Sequence, residues 1–255
     1  MFLQALVILF IYFSCLFILG QVLVDNSIVD IGWGGGFVIL AMVGLILNKE
    51  IGAVHILTTA FVLLWGIRLV LHLAKRNIGK PEDYRYVQMR IKWGEKWPRL
   101  KAFLNVYMLQ MVVMYVVALP IIALAGKTVD GLGVFSLIGS IVFVIGYLFE
   151  VIGDEQLRRF KASPENKGKI ITTGLWRYTR HPNYFGEAMI WWGIYLTVLE
   201  ASGTAWTFIG PMLINLFLRY VSGVPLLERK YKDREDFKAY KAVTPVFVPW
   251  FPKRI

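Results

Sequence analysis

Seven long runs with almost no charged residue restrict what this sequence can fold into. The runs span residues 1–24, 31–48, 51–67, 102–126, 131–149, 184–199 and 201–218. A helix needs about 20 apolar residues to cross the hydrocarbon core of a bilayer, and every run except the sixth meets this requirement. The sixth contains Glu187, and a charge inside a span usually faces the bundle interior and marks a functional site. The sequence therefore predicts an all-α integral membrane protein with seven transmembrane helices.

The positive charge of the chain is concentrated in three segments. There are 28 lysines and arginines against 17 acidic residues, a formal net charge of +11, and 26 of the 28 lie in residues 68–101, 150–187 and 219–255. Seven spans place all three segments on one side of the membrane, which the positive-inside rule makes the cytoplasmic side. We therefore expect an external N-terminus and a cytoplasmic C-terminus, in a bacterial inner membrane.

Composition excludes or disfavours several classes of protein. The single cysteine, Cys15, excludes a disulfide scaffold. The histidines at positions 55, 72 and 181 are too dispersed to predict a metal site. The placement of the basic residues gives no reason to expect a nucleic-acid partner. No internal repeat or linker divides the chain, so we expect one membrane-embedded domain over residues 1–255 and make no prediction of its oligomeric state.

The clearest candidate for a functional motif precedes the sixth run. Pro182 is well suited to the first position of a helix, so the first N–H groups of that helix point towards Arg180 and His181. A helix N-terminus beside an arginine is a site for phosphate or another anion. Asn183 and Glu187 share one helix face, where Glu187 could accept hydrogen bonds from an amide or from ribose hydroxyls. The alternative is a structural helix start at the lipid headgroups, anchored by aromatic residues.

A second group of polar residues follows the fifth run. Asp154 and Arg158 have the i,i+4 spacing of a helical ion pair. Two interpretations are open. The two residues could form a surface ion pair of little energy, or Asp154 could meet a polar ligand while Arg158 and Lys161 meet its phosphates.

Candidate groups for acid–base chemistry follow the third run. His72 and Arg76 lie on roughly one face of a helix that extends this run, and Tyr84, Arg85 and Tyr86 come shortly after it. A tyrosine can act as a general acid when a nearby cation or hydrogen bond tunes its pKa. For the basic residues, the alternative is a collar of side chains that snorkel to the membrane surface.

A further acid lies between the first two runs. Asp30 ends a short polar loop that precedes a glycine-rich helix start at Gly34, Gly35 and Gly36. Glycines allow another backbone or a ligand to approach closely. No strand precedes them, so they are not a nucleotide-binding fingerprint, and we expect them at a contact between two helices.

The residues from 174 to 187 resemble the C-terminal signature of the steroid 5α-reductase family. They read Gly-Leu-Trp-Arg-Tyr-Thr-Arg-His-Pro-Asn-Tyr-Phe-Gly-Glu, and they are especially like the bacterial members of unknown function grouped with that family. The resemblance covers nearly the whole chain, through residues 25–36, 65–76, 82–86, 154–161 and 246–252. The Arg-His-Pro core also resembles isoprenylcysteine and phospholipid methyltransferases, which use S-adenosylmethionine.

The resemblance implies a seven-span enzyme that transfers a hydride from NADPH to the double bond of an enone steroid or related lipid. It implies a lipid-substrate half over about residues 1–126 and a cofactor-binding half over about 127–255, with lipids as the partners. The predicted catalytic residues are His72, Tyr84 or Tyr86, with Asp30 in an orienting role. The predicted cofactor-binding residues are Arg76, Arg85, Asp154, Arg158, Lys161, Lys169, Tyr178, Arg180, His181, Asn183, Tyr184, Glu187 and Tyr231.

The sequence departs from the family on the substrate side. The paired Gln-Glu of the family has no clear counterpart near the second run, its tyrosine beyond the third span falls at Leu73, and its tail histidines fall at Leu226 and Leu227. The cofactor side is thus retained better than the substrate side. Two alternatives therefore stay open, which are an S-adenosylmethionine-dependent lipid methyltransferase and a non-catalytic lipid-binding relative.

Overall fold

A computed structural model describes residues 1–129 and 131–253, and these residues form helices and connecting segments. No strand occurs in these two ranges, which confirms the predicted all-α class. The helices are α1 (Phe2–Leu23), α2 (Ile28–Leu47), α3 (Ala53–Asn77), α4 (Tyr84–Trp93), α5 (Pro98–Val117, with a π-helical turn at Phe103–Met108), α6 (Leu119–Leu124), α7 (Val134–Ala162), α8 (Pro182–Val198), α9 (Ile209–Leu216), α10 (Val224–Tyr231) and α11 (Glu235–Val243).

Among the described residues, six helical stretches are long and apolar enough to cross a membrane. They are α1, α2, α3, α5, α7 and the stretch Ala205–Tyr231, which contains α9 and α10. The sixth predicted run corresponds to α8, which has 17 residues and is not one of the six. The helices are those of an integral membrane protein.

Helix α1 shows the pattern of a helix that faces lipid over most of its surface. Ala5, Leu9, Phe13 and Gly20 are buried along one stripe, whereas Val22 on the opposite side is 72% exposed. Because the helix is apolar all round, the exposed side chains are suited to hydrocarbon rather than to water.

Two boundaries differ from the sequence prediction. Helix α2 begins at Ile28, so Asp30 lies in its first turn rather than in the preceding loop. A carboxylate is stabilised there by the partial positive charge of the helix N-terminus. Helix α5 ends at Val117, and Pro120 lies near the start of the short helix α6, because proline disrupts the interior of a continuous helix.

The helices fall into two compact units. The first contains residues 1–133 and 198–210, and the second contains residues 134–197 and 211–255. In the first unit, α2 and α3 touch backbone to backbone, since a Cβ atom on Gly34 would lie 2.5 Å from the Gly66 carbonyl oxygen. The predicted role of the glycine-rich segment at a helix–helix contact is confirmed.

In the second unit, α7 and α8 are packed through glycines at seven-residue spacing. Gly139, Gly146 and Gly153 on α7 face α8, where Gly186 and Gly193 lie opposite them. A Cβ atom on Gly146 would lie 2.7 Å from the Gly186 carbonyl oxygen. Small residues let helix backbones approach within membranes, and this contact brings the last turns of α7 beside the start of α8.

Candidate functional site

The segment before α8 is fixed to α7 by hydrogen bonds. Gly174 has a φ of +62°, a conformation that glycine adopts without strain. The Trp176 indole is buried and its Nε1–H donates to the Gly153 carbonyl at 3.1 Å. The Leu175 N–H donates to the Gln156 side chain at 2.9 Å. The turn at Gly174 therefore begins a segment that is fastened to α7.

The same segment is also held by the C-terminal tail. The Arg180 N–H donates to the Pro245 carbonyl and the Trp250 N–H donates to the Tyr178 carbonyl, both at 2.9 Å. The Tyr178 ring is exposed and lies edge-on to Phe251, with ring centres 5.9 Å apart. These two backbone hydrogen bonds fasten residues 178–180 to the tail.

Asn183 and Asp154 form the first polar contact at the start of α8. The Asn183 Nδ2 group donates to Asp154 Oδ1 at 3.0 Å, so the other amide atom, Oδ1, is a hydrogen-bond acceptor. That oxygen is buried and has no partner among the described residues. Glu187 lies one helical turn further along the same face, as the sequence predicts.

His181 supplies a second buried acceptor. Its side chain is 6% exposed, and its Nε2 atom lies 3.2 Å from Glu228 Oε1. Burial lowers the pKa of His181 below its ordinary value, against the opposing effect of the Glu228 carboxylate, so the ring is neutral near pH 7. Because a carboxylate accepts, Nε2 carries the proton and Nδ1 is the acceptor, and Nδ1 is buried without a partner among the described residues. The ring stacks on Tyr184 with centres 5.6 Å apart.

The Arg180 guanidinium is directed at protein groups. Its side chain is 7% exposed, its Nε donates to Glu228 Oε1 at 2.8 Å, and its Nη1 donates to the Thr244 carbonyl at 2.6 Å. Lys241 adds a longer contact, 3.6 Å, to the same carboxylate. Glu228 thus contacts three basic side chains. The sequence did not predict this role, because one acid in a highly charged tail gives no local signal.

The predicted residues at the end of α7 do not act as one group. Asp154 contacts the start of α8 through Asn183. Arg158 bonds Glu155 at 2.6 Å instead of Asp154, and Arg159 shares that carboxylate on the exposed surface. The ion pair suggested by the Asp154–Arg158 spacing is therefore wrong in its partner, because Glu155 is near enough to hold both arginines.

The other predicted cofactor residues of the second unit lie on its surface or pack on neighbouring rings. Lys161 and Lys169 are exposed. Tyr231 packs on Phe237 with ring centres 5.9 Å apart. None of these three positions is buried as His181 is at the start of α8.

The first unit holds a separate polar cluster, which we call the α4 cluster and define as Asp30, Asp83, Arg85, Tyr86 and Gln110. Asp30 accepts from Arg85 Nη2 and from the Tyr86 hydroxyl, both at 2.6 Å. Arg85 also bonds Asp83 at 3.0 Å, and Gln110 donates to the Tyr86 hydroxyl at 3.3 Å. Burial and the Asp30 carboxylate raise the pKa of Tyr86 well above its ordinary value.

The α4 cluster contains two of the four predicted catalytic residues. Asp30 and Tyr86 are in direct contact, and the phenolic proton of Tyr86 is directed at Asp30. Tyr84 is 58% exposed and lies outside the cluster, His72 is half-buried on α3, and Arg76 bonds its neighbour Asn77 on the surface. In this arrangement, Tyr86 and Arg85 together hold the Asp30 carboxylate.

Beside the α4 cluster, Glu82 ties the region before α4 to the loop before α2. Its carboxylate accepts from the Asn26 N–H at 2.8 Å and from Arg90 Nη2 at 2.5 Å. The Tyr107 hydroxyl donates to Asn26 Oδ1 at 3.2 Å. Sequence reasoning did not assign these roles, and its only signal was the mixture of charges and phenols around Glu82.

Replacing Tyr86 with phenylalanine should lower the free energy of unfolding by about 1.5–3 kcal/mol, the usual worth of a hydrogen bond to a charged group. The physical reason is that Asp30 loses one of its two donors, and the lost donor is the buried one. Tyr84→Phe is the matched control, since that ring is 58% exposed. Thermal unfolding of both variants in detergent measures the difference, and equal midpoints would contradict a structural role for the Tyr86 hydroxyl.

The apolar helices are those of a helical membrane protein. Buried polar groups that contact one another lie at the ends of these helices. The family described as a protein of unknown function (DUF1295) matches residues 16–244. The chain belongs to this family, and its resemblance to the steroid 5α-reductases is confirmed.

The most informative relatives match parts of the chain. An uncharacterized fission yeast protein, C594.04c of Schizosaccharomyces pombe, is 27% identical over 187 residues, which are 63% of this chain and 54% of the relative. The 3-oxo-5-alpha-steroid 4-dehydrogenase 1 of Bos taurus is 31% identical over 112 residues, which are 44% of this chain and 42% of the relative. The chain thus spans about half the length of these curated relatives.

A shorter match points to another class. Probable O-methyltransferase ustE of Ustilaginoidea virens is 44% identical over 46 residues, which are 18% of this chain and 16% of the relative. No solved structure matches the chain.

Proposed function

We propose that the protein is an NADPH-dependent membrane reductase of the steroid 5α-reductase type, which reduces the C=C bond of an enone steroid or related lipid. The family match and the likeness to proteins named 3-oxo-5-alpha-steroid 4-dehydrogenase 1 support this proposal. When bound, NADPH supplies the hydride, and the protein supplies binding, orientation and electrostatics.

The observation that carries the proposal is a set of buried acceptors without donors at the start of α8. His181 Nδ1 and Asn183 Oδ1 have no partner among the described residues. A buried acceptor without a donor costs free energy, so a ligand that brings N–H groups would be stabilised there. The carboxamide of a nicotinamide has two N–H bonds and fits this requirement, and Asp154 and Glu187 provide carboxylates on the same side.

Three of the remaining predicted cofactor residues take the outer parts of the ligand in this proposal. Arg158, Lys161 and Lys169 are exposed cations near the end of α7 and in the segment after it, where they can reach phosphates by rotating their side chains. Arg180 acts differently, because its guanidinium holds Glu228 and through it His181. It is therefore proposed as a positioning residue that keeps the His181 acceptor in place.

On the substrate side, a hydrogen-bond donor must stabilise the enolate that forms as the hydride arrives. His72, Tyr84 and Tyr86 remain the proposed donors. The Tyr86 proton is directed at Asp30, so Tyr86 can donate to a substrate carbonyl only after that bond exchanges. Asp30 has the orienting role, since it fixes the phenol through one oxygen and Arg85 through the other.

We also propose the finer topology. Helix α8 is the sixth of seven spans, the N-terminus is outside and the C-terminus is in the cytoplasm of a bacterial cell. The concentration of 26 of the 28 basic residues in three segments supports this orientation. Residues 1–126 then contribute the lipid-substrate half and residues 127–255 the cofactor-binding half.

Titration of the purified protein with NADPH, NADH and S-adenosylmethionine tests the function. We expect NADPH to raise the unfolding midpoint, because a ligand that binds only the native state stabilises it by about 2.7 kcal/mol at 100 times its Kd. Asn183→Ala should remove most of the NADPH shift. Asn105→Ala is the control, since that amide is exposed on α5 in the first unit.

Each other outcome has a definite meaning. A shift with S-adenosylmethionine alone would replace the reductase by the methyltransferase, the class that the short match to ustE favours. No shift with any of the three compounds would identify a lipid-binding relative without cofactor. An Asn183→Ala variant that keeps the full NADPH shift would remove the start of α8 from the binding site.

A further inference from the structure

The first unit contains a second set of buried polar groups, which shares no residue with the α4 cluster or with the start of α8. Asn48, His55, Thr58 and Thr59 line a cavity of about 10 Å³ whose other walls are apolar residues of α2, α6 and Ala125. All four side chains are more than nine-tenths buried. Polar side chains are expensive in such surroundings unless their hydrogen bonds are satisfied.

The tautomer of His55 follows from the hydrogen bond at its Nδ1 atom. The Gly52 N–H donates to His55 Nδ1 at 3.1 Å, so Nδ1 is the acceptor and the proton of the neutral ring lies on Nε2. His55 is 2% exposed, and Nε2 has no acceptor among the described residues. The ring therefore presents a buried N–H donor that needs a partner.

Thr58 lies one turn from this ring on α3, on neighbouring positions of the helix face. It is 1% exposed, and its hydroxyl also has no partner among the described residues. Asn48 on the same cavity is already held, since its Oδ1 accepts from the Gly126 N–H. The two residues that carry these orphaned groups thus line the same small cavity.

The size of the cavity limits what can satisfy them. A single water needs roughly 10–15 Å³ of such space together with two to four polar partners, and the cavity offers about 10 Å³. Any larger ligand is excluded by volume, and a dry cavity would leave two buried groups unsatisfied. An apolar cavity can stay empty, whereas a polar one of this size takes water.

We propose that this cavity is a binding site for one internal water molecule, which accepts from His55 Nε2–H and bonds the Thr58 hydroxyl. The water bridges two side chains that lie one turn apart on α3. It thereby satisfies buried polar groups near the end of α2 and the start of α3. This site is independent of the proposed reductase function, and its test does not involve a cofactor.

Thr58→Val distinguishes a hydrated cavity from a dry one, because the two cavities predict different changes in the unfolding midpoint. If the water is present, the variant loses a formed hydrogen bond, and the unfolding midpoint falls by about 2–4 °C. If the cavity is dry, valine removes an orphaned hydroxyl without changing the shape of the side chain, and the midpoint stays the same or rises. Thr207→Val calibrates the loss, because that hydroxyl is buried and donates to the Thr204 carbonyl at 2.7 Å.

Nitrogen-15 NMR of histidine-labelled protein adds a readout that does not depend on stability. We expect His55 to show a protonated Nε2 with magnetisation transfer from water, retained in Thr58→Ser and lost in Thr58→Val. An unchanged or raised midpoint for Thr58→Val would overturn the proposal if Thr207→Val is destabilised. An Nε2–H without contact to water would overturn it as well.

Discussion

Gly186→Ala should lower the free energy of unfolding by about 3 kcal/mol, at the upper end of what overpacking costs. For a chain of this size the corresponding fall in the unfolding midpoint is roughly 6–12 °C. A Cβ atom at this position would lie 2.5 Å from both the Glu150 nitrogen and the Gly146 carbonyl oxygen. Both are backbone atoms of α7, so no side chain can rotate away, and the two helices must separate along the contact.

Gly44→Ala is the matched control for this substitution. Gly44 is also a helical glycine, but a Cβ atom there would meet its nearest neighbour, Ala125 Cβ, at 3.5 Å, an ordinary contact. We expect the control to be neutral or stabilising by about 0.5–1 kcal/mol, because alanine restricts the unfolded chain more than glycine does. Thermal unfolding of both variants gives the comparison. A Gly186→Ala midpoint equal to that of Gly44→Ala would show that α7 and α8 do not touch as described.

Glu228→Ala should cost about 3–5 kcal/mol, which is typical when one member of a buried ion pair is removed. Arg180 would keep its charge at 7% exposure, with the Lys241 and Thr244 carbonyl oxygens still accepting from its guanidinium. His181 would lose the acceptor that fixes its tautomer. The variant should therefore also weaken the proposed NADPH shift, even though Glu228 does not face the ligand in the proposal.

Glu155→Ala is the control that separates the effect of burial on stability from the effect of charge pairing alone. Glu155 also bonds two arginines, Arg158 and Arg159, at 2.6 Å, but these side chains are exposed. Surface pairs are screened by water and salt, so the unfolding midpoint of Glu155→Ala should not change.

A double variant with leucine at positions 180 and 228 should be less destabilised than Glu228→Ala, because it leaves no uncompensated charge. Equal losses in Glu228→Ala and Glu155→Ala would contradict the buried pair.

The sequence was most informative where a single physical requirement acts on a continuous stretch of chain. Charge-free runs of sufficient length are required of helices in lipid, and six of the seven predicted runs coincide with stretches long enough to cross a membrane. The start of α8 at Pro182 was likewise predicted, since proline lacks the N–H that a first helical residue does not need.

The seven-residue spacing of Gly139, Gly146 and Gly153 is present in the sequence, but it did not lead to a prediction of a helix contact. Its meaning depends on Gly186 and Gly193 in another helix, since small residues have this effect only where two backbones meet. The sequence left the partner of Arg158 open between Asp154 and a ligand, and the structure pairs it with Glu155. Asp154 and Glu155 are both within helical reach, so spacing alone cannot choose between them.

The sequence alone determined the class of this protein, its family resemblance and the separate identities of Asp30, Tyr86, His181 and Asn183. Only the tertiary structure decided how these groups are used. It placed Glu228 against Arg180 and His181 across 48 and 47 residues of chain, and it joined Tyr86 to Asp30 across 56. The physical reason is that hydropathy acts locally along a helix, whereas the direction of a hydrogen bond depends on a partner that folding brings from elsewhere.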